Sequence, residues 1–166
     1  MNTRTQFINT TGALLLLLSL PPAANAAFIN NGDGTVTDTV TGLMWDQCSQ
    51  GQSGGACATG TATTMTWSAA LTAVDSAINA NYKGHADWRL PNKNELESLV
   101  DIDIADATVP AVDLTAFPAT PGARYWSSTT YMPNTAGVWI VDFSVGVISA
   151  DIKTTNYAVR LVRSLQ

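Results

Sequence analysis

An α+β fold is predicted by three observations: two amphipathic helical patterns in the middle of the chain, a proline-fixed corner between them, and period-two strand patterns towards both ends. The corner is Asp87-Trp88-Arg89-Leu90-Pro91. Pro91 fixes its own φ and holds Leu90 extended, so the approach is strand-like and a helix can begin only after the proline. Asn92 caps that helix, and Glu95, three residues on, can reach back to the cap amide as a variant of the capping box. Leu96, Leu99 and Val100 form its apolar stripe.

The chain begins with the pattern of a secretory leader over residues 1–26. Arg4 lies in a short polar start, an apolar run extends from Ala13 to Leu20, and Ala24-Asn25-Ala26 ends it, which places cleavage between Ala26 and Ala27. The run is shorter than the ~20 residues that span a bilayer, and no cysteine stands nearby to accept a lipid. A secreted or periplasmic protein without a transmembrane anchor is expected. Residues 27–166 then make one domain, long enough to bury about two-thirds of the surface the unfolded chain exposes. Without Arg4, seven basic residues face thirteen acidic ones, for a net charge of −6. That balance argues against nucleic acid as a partner.

From Phe28 to Asp46 turn signals alternate with β-formers: Asn31-Gly32-Asp33-Gly34 turns, Thr35–Asp38 extends, and Leu43–Trp45 extends again after Thr41-Gly42. A short β-meander is predicted. Asp33 and Asp38 fit turn chemistry, with a Ca²⁺ site as the weaker alternative, because the EF-hand spacing and its bidentate Glu are absent. No other metal or cofactor is indicated. Cys48 and Cys57, the only cysteines, predict one disulfide in an exported chain; a reactive or metal-binding pair is the alternative.

Thr66 caps the first helix, with Trp67, Ala70, Leu71, Val74 and Ile78 on one face and Gly84 beyond its end. Residues 102–124, with Pro110, Pro118 and Pro121, show no sustained period and predict a long ordered loop. The last third returns to β: Val138–Phe143 alternates, Gly146 turns, Val147–Ile152 runs back, and Tyr157–Val162 closes near the first strand.

The five tryptophans are predicted to be mainly core, since each buries on the order of 150–250 Å². Trp126 is the expected exception, because Trp126-Ser127-Ser128 leads through two threonines to Tyr131 and the Pro133-Asn134 turn. Trp126, Ser127, Ser128, Tyr131 and Asn134 are therefore the candidate ligand-binding residues. Arg89, Arg160 and Arg163 are expected to pair with Glu95, Asp87 or Asp101. No nucleophile elbow, phosphate loop or His-rich motif appears, and Glu95 and Glu97 lie on different sides of their helix. Catalysis is not expected.

The Arg89-Leu90-Pro91 segment, Asn31–Asp38, Thr41–Trp45, Tyr125–Thr129 and Val159–Arg163, taken in order, resemble the Lcl carboxy-terminal domain family. The resemblance implies a bacterial exported domain akin to the head of a collagen-like adhesin that binds glycosaminoglycans. This chain has no Gly-X-Y repeat, so it does not imply a collagen stalk. It also implies a long loop anchored at Phe117-Pro118 and Tyr125-Trp126. The Trp-led helix, glycine and Arg-Leu-Pro opening are similar to formylglycine-generating enzymes, which implies a C-type-lectin-like fold; their late cysteine pair is missing, so their oxidase chemistry is not implied. The function these readings point to is adhesion: recognition of a glycan or extracellular matrix polymer at the bacterial cell envelope. The alternatives are a protein-interaction or self-association domain and, last, a glycan hydrolase acting through Glu95.

Overall fold

A computed structural model describes residues 28–103 and 110–165. The leader and the Ala26–Ala27 cleavage position lie outside the described residues. The chain forms an α+β domain of small antiparallel sheets and two helices. Strands β1 (Phe28–Asn30), β2 (Thr35–Asp38) and β3 (Leu43–Asp46) make the predicted meander. A two-residue ribbon, β4 (Gln52–Ser53) with β5 (Thr59–Gly60), follows, then α1 (Trp67–Asn79) and α2 (Lys93–Glu97). Strands β6 (Arg124–Thr130), β7 (Gly137–Asp142) and β8 (Val147–Ile152) form the second main sheet, and β9 (Val162–Ser164) ends the fold.

Strand β9 returns to β3, giving the order β1-β2-β3-β9 with Leu43 opposite Ser164. The predicted closing strand therefore pairs with the third strand of the first sheet, on the edge opposite β1, and it starts later than expected. Tyr157 and Ala158 make only isolated bridges, to Met65 and Tyr125.

The Arg-Leu-Pro corner is fastened on every side. Arg89 exchanges two backbone hydrogen bonds with Val162 (2.9 and 3.0 Å), while Trp88 and Leu90 are buried and the Trp88 indole donates to the Tyr82 carbonyl at 2.8 Å. The capping box is complete: the Asn92 side chain accepts from the Glu95 amide and Glu95 Oε2 accepts from the Asn92 amide, at 2.9 and 2.8 Å. Helix α2 itself is shorter than the apolar stripe suggested. Leu96 and Leu99 are buried, but Leu99 lies past the helix end.

Thr66 caps α1 through its side chain, which accepts from the Ala69 amide. The buried face is Ala70, Val74 and Ala77; Leu71, expected inside, is 37 % exposed. A small-residue face lets this helix sit close, and Leu71 falls just beyond its edge. The core has two lobes, and β7 feeds both. Val141 and Phe143 join Trp45, Leu96, Phe117 and Tyr125, whereas Val138 and Ile140 join α1, Trp88 and Trp126.

The long loop is anchored as expected, with Phe117 buried edge-on against Phe28 at 5.1 Å and Ala111 bonded to the Phe143 backbone. The Cys48–Cys57 disulfide forms, with a Cα–Cα separation of 5.4 Å. Of Arg89, Arg160 and Arg163, two find carboxylates. Arg89 grips Glu95 with both terminal nitrogens (2.7 and 2.8 Å) and Arg163 donates to Asp87 at 2.7 Å. Asp101 pairs with none of the three; its carboxylate accepts from the Asp103 amide. Arg160 is the exception to the pairing expectation: fully buried, it donates to the Asp46 and Gln47 carbonyls, to Ser49 and to Thr120, and stacks 4.7 Å from the Phe117 ring.

Candidate functional site

The predicted site, 125–134, splits into an inner and an outer half. Residues 124–130 are strand β6, not loop, because both edges find partners: β7 on one side and the Ala158 backbone on the other. That position turns Trp126 inward. Its ring is fully buried, packed edge-on against Tyr157 at 4.8 Å, and its indole N–H donates to the Met65 carbonyl at 2.8 Å. Ser127 is also buried, its hydroxyl donating to the Trp139 carbonyl at 2.7 Å and its own carbonyl accepting from the Trp67 indole at 3.0 Å. Neither side chain presents a surface to a ligand, which corrects the expectation for both. Such partners stabilise buried hydroxyls and indoles, since an unsatisfied one costs about 1–3 kcal/mol.

The register with β7 shifts between Trp126 and Thr130, and past this irregularity the strand reaches the surface. Ser128 is exposed and its amide donates to the Pro91 carbonyl at 2.7 Å, while Thr129 Oγ1 accepts from the Lys93 amide at 2.9 Å. Those two bonds lock the start of α2 to β6. The chain then turns through Tyr131–Gly137, where the Asn134 amide donates to the Tyr131 carbonyl and Asn134 Oδ1 accepts from the Ala136 amide at 3.1 Å. Asn134 is exposed and half of its amide group is engaged in holding the turn.

The hairpin brings Tyr131 beside Trp139. The two half-buried rings meet edge-on at 5.1 Å and 86°, and the Lys93 ammonium stands 5.8 Å from the indole centroid. Among the described residues the Trp139 indole N–H has no hydrogen-bond acceptor. Lys93 also pairs with Glu97 at 3.0 Å. The structure thus sets Tyr131 against a tryptophan and a lysine that the sequence did not single out, while Ser128 and Asn134 are exposed on the strand and turn that lead to them. The available signal was the Pro133-Asn134 turn, which sets Tyr131 and Trp139 across one hairpin.

Glu95 lies under this rim and is shaped for support. Burial alone would raise its carboxyl, but hydrogen bonds from Arg89 and from the Asn92 amide outweigh that and hold it below the ordinary glutamate value. Asp33 and Asp38 are both engaged in turns: Asp33 accepts from the Thr35 amide and hydroxyl, Asp38 from the Val40 and Thr41 amides and the Thr41 hydroxyl. Among the described residues no three His, Cys, Asp or Glu side chains come together as a metal cluster. No helix among them is long and apolar enough to cross a membrane.

The sequence model of the Lcl C-terminal domain matches residues 34–163. The chain belongs to that family. This span of the Lcl C-terminal domain takes in β2 and β3 of the meander, both helices, the Trp139 hairpin and most of β9. No curated protein matches the chain.

Proposed function

We propose that residues 27–166 form a secreted or periplasmic, C-type-lectin-like domain without catalytic activity, which binds a sugar ring of a glycan or extracellular matrix polymer on the Trp139–Tyr131 rim. One observation carries the reading: Trp139 is the tryptophan whose ring is half open, whose N–H is unengaged among the described residues, and whose neighbours are a cation and a second aromatic ring. An indole face offers apolar C–H contact to a sugar, and Ser128, Asn134 and Lys93 supply polar groups around it. The reading requires no Ca²⁺. The lectin-like architecture is supported by the two helices flanking a buried Trp88 corner and by β9 returning to the first sheet. Membership of a family whose name is tied to a collagen-like adhesin supports adhesion as the role.

A glycan array spanning neutral and sulfated chains tests this directly. Wild type should bind, and Trp139→Ala and Tyr131→Ala should each lose at least about tenfold in affinity, as hot-spot aromatics do; binding unchanged in both would remove the rim from consideration. A second reading, recognition of an envelope protein or of another copy, is favoured by Met132, which is 76 % exposed at the tip of the same turn. It predicts a mass increase on sizing chromatography that Met132→Ser reverses.

A further inference from the structure

A second concavity lies away from the rim and shares no residue with it. The β1–β2 turn, the disulfide loop and the turn after α1 enclose a cleft of about 560 Å³. That size is within the 300–1,000 Å³ typical of small-ligand sites, roughly speaking. Its floor is fixed by Lys83, whose ammonium donates to the Gly34 carbonyl and to the buried Asp46 carboxylate at 2.7 Å. An ammonium has three protons, and these bonds use two. Across the cleft Asp33 commits only Oδ1 to the Thr35 turn, leaving Oδ2 open; the hydrogen bonds from Thr35 hold the carboxyl below its ordinary value, so it is an acceptor at neutral pH. The Asn30 amide nitrogen and the Ser53 and Thr115 hydroxyls also line it without hydrogen-bond partners among the described residues.

We propose that this cleft is a second binding site, for an uncharged polyhydroxylated ligand such as a neutral saccharide unit. The charges decide the class. Lys83 and Asp33 are the charged residues of the wall, and Lys83 is already neutralised by Asp46 behind it, so an anion gains no net attraction and meets the Asp33 carboxylate. A hydroxyl-rich ligand both donates and accepts. It can give protons to Asp33 and take them from Lys83 and Asn30, whereas an apolar ligand would leave all of these unsatisfied. The second wall depends on the Cys48–Cys57 bridge, which holds Ser53–Ala56 in place, with Ala56 and Cys57 both at positive φ.

The test is amide-resolved NMR on the ¹⁵N-labelled exported chain, titrated with cellobiose, lactose and chitobiose as neutral probes and with sodium sulfate as the anion. At least one disaccharide should shift the amides of Gly32, Gly34, Gly54 and Gly55, and sulfate should not. Gly55 has ordinary φ and a Cβ there meets nothing within 4 Å, so Gly55→Phe fills the cleft mouth without backbone strain and should weaken binding at least about tenfold. Were that variant to misfold, Ser53→Ala, which removes one unpartnered hydroxyl, should weaken binding by about threefold or more. No glycine shift with any of the disaccharides, shifts with sulfate alone, or shifts unaltered in the variants would overturn the proposal. The Trp139 indole resonance reports the rim in the same spectra. Shifts confined to it would sink the cleft and leave the rim standing; shifts confined to the glycines would do the reverse.

Discussion

Trp126 and Trp139 stand on neighbouring strands of one sheet, yet they have opposite fates. Trp126 is enclosed by α1 and Tyr157 and its N–H is given to a backbone carbonyl, so its whole binding capacity is used within the molecule. Trp139, on the other face of that sheet, is only partly covered, and its N–H and one ring face are not committed among the described residues. The difference teaches that an indole's role here follows from how far its ring is enclosed: Trp45, fully buried with its N–H unpaired among the described residues, is core like Trp126. Trp88 obeys the same rule as Trp126, donating to Tyr82 from full burial.

Four variants bear on that contrast. The largest effect is expected from Trp126→Ala, which empties a fully enclosed site and should cost about 3–5 kcal/mol in urea unfolding, a large share of the stability of a domain of this size. A loss under ~1 kcal/mol would mean that the inner half is less tightly built than its geometry indicates. Next is the paired change Cys48→Ser with Cys57→Ser. It should lower stability by about 2.5–3 kcal/mol in the chain-entropy account, seen as a reduced melting temperature, while leaving ligand affinity at the Trp139 rim intact.

Glu95→Gln comes third. It weakens the Arg89 grip and the capping box beneath the rim and should cost about 1–2 kcal/mol. Because the folded carboxyl titrates below its usual value near 4.5, its contribution is present above that pH and is lost as pH falls through the folded value. Wild-type stability should therefore drop more steeply below about pH 4.5 than that of the variant; parallel curves would show that Glu95 is not a source of acid lability. Smallest in stability is Trp139→Ala, about 1 kcal/mol for the lost edge-on pair with Tyr131, measured by the same urea titration. A cost rivalling that of Trp126→Ala would erase the distinction between the two residues.

Local signals were legible in the sequence. Pro91, Asn92 and Glu95 encode the corner and its cap within nine residues, and Thr35–Asp38 and Val147–Ile152 fold as strands with the expected bounds, because turn residues bracket them. What escaped depends on distant partners. Strand β6 looks like a polar loop, since its serines and threonines hide that Ala158 and β7 supply both edges. The same blindness left Trp126 outside and Trp139 unremarked. Leu71 failed on a finer point, a helix face rotated towards alanines that only the packing reveals. Arg160 was expected to find a carboxylate, and nothing in the chain pattern announces a cradle made from carbonyls more than a hundred residues upstream.

That cradle ties the two ends of the domain together. Arg160 adds its two bonds to an Asp46 already paired with β2 and a Gln47 already bonded to Gly34, and β9 gives β3 its second neighbour. Residues near the end of the chain thus complete the sheet and the carbonyl cradle of its early third. A chain cut short before Arg160 should therefore keep an open edge at β3 and leave the Asp46 and Gln47 carbonyls without their guanidinium donor.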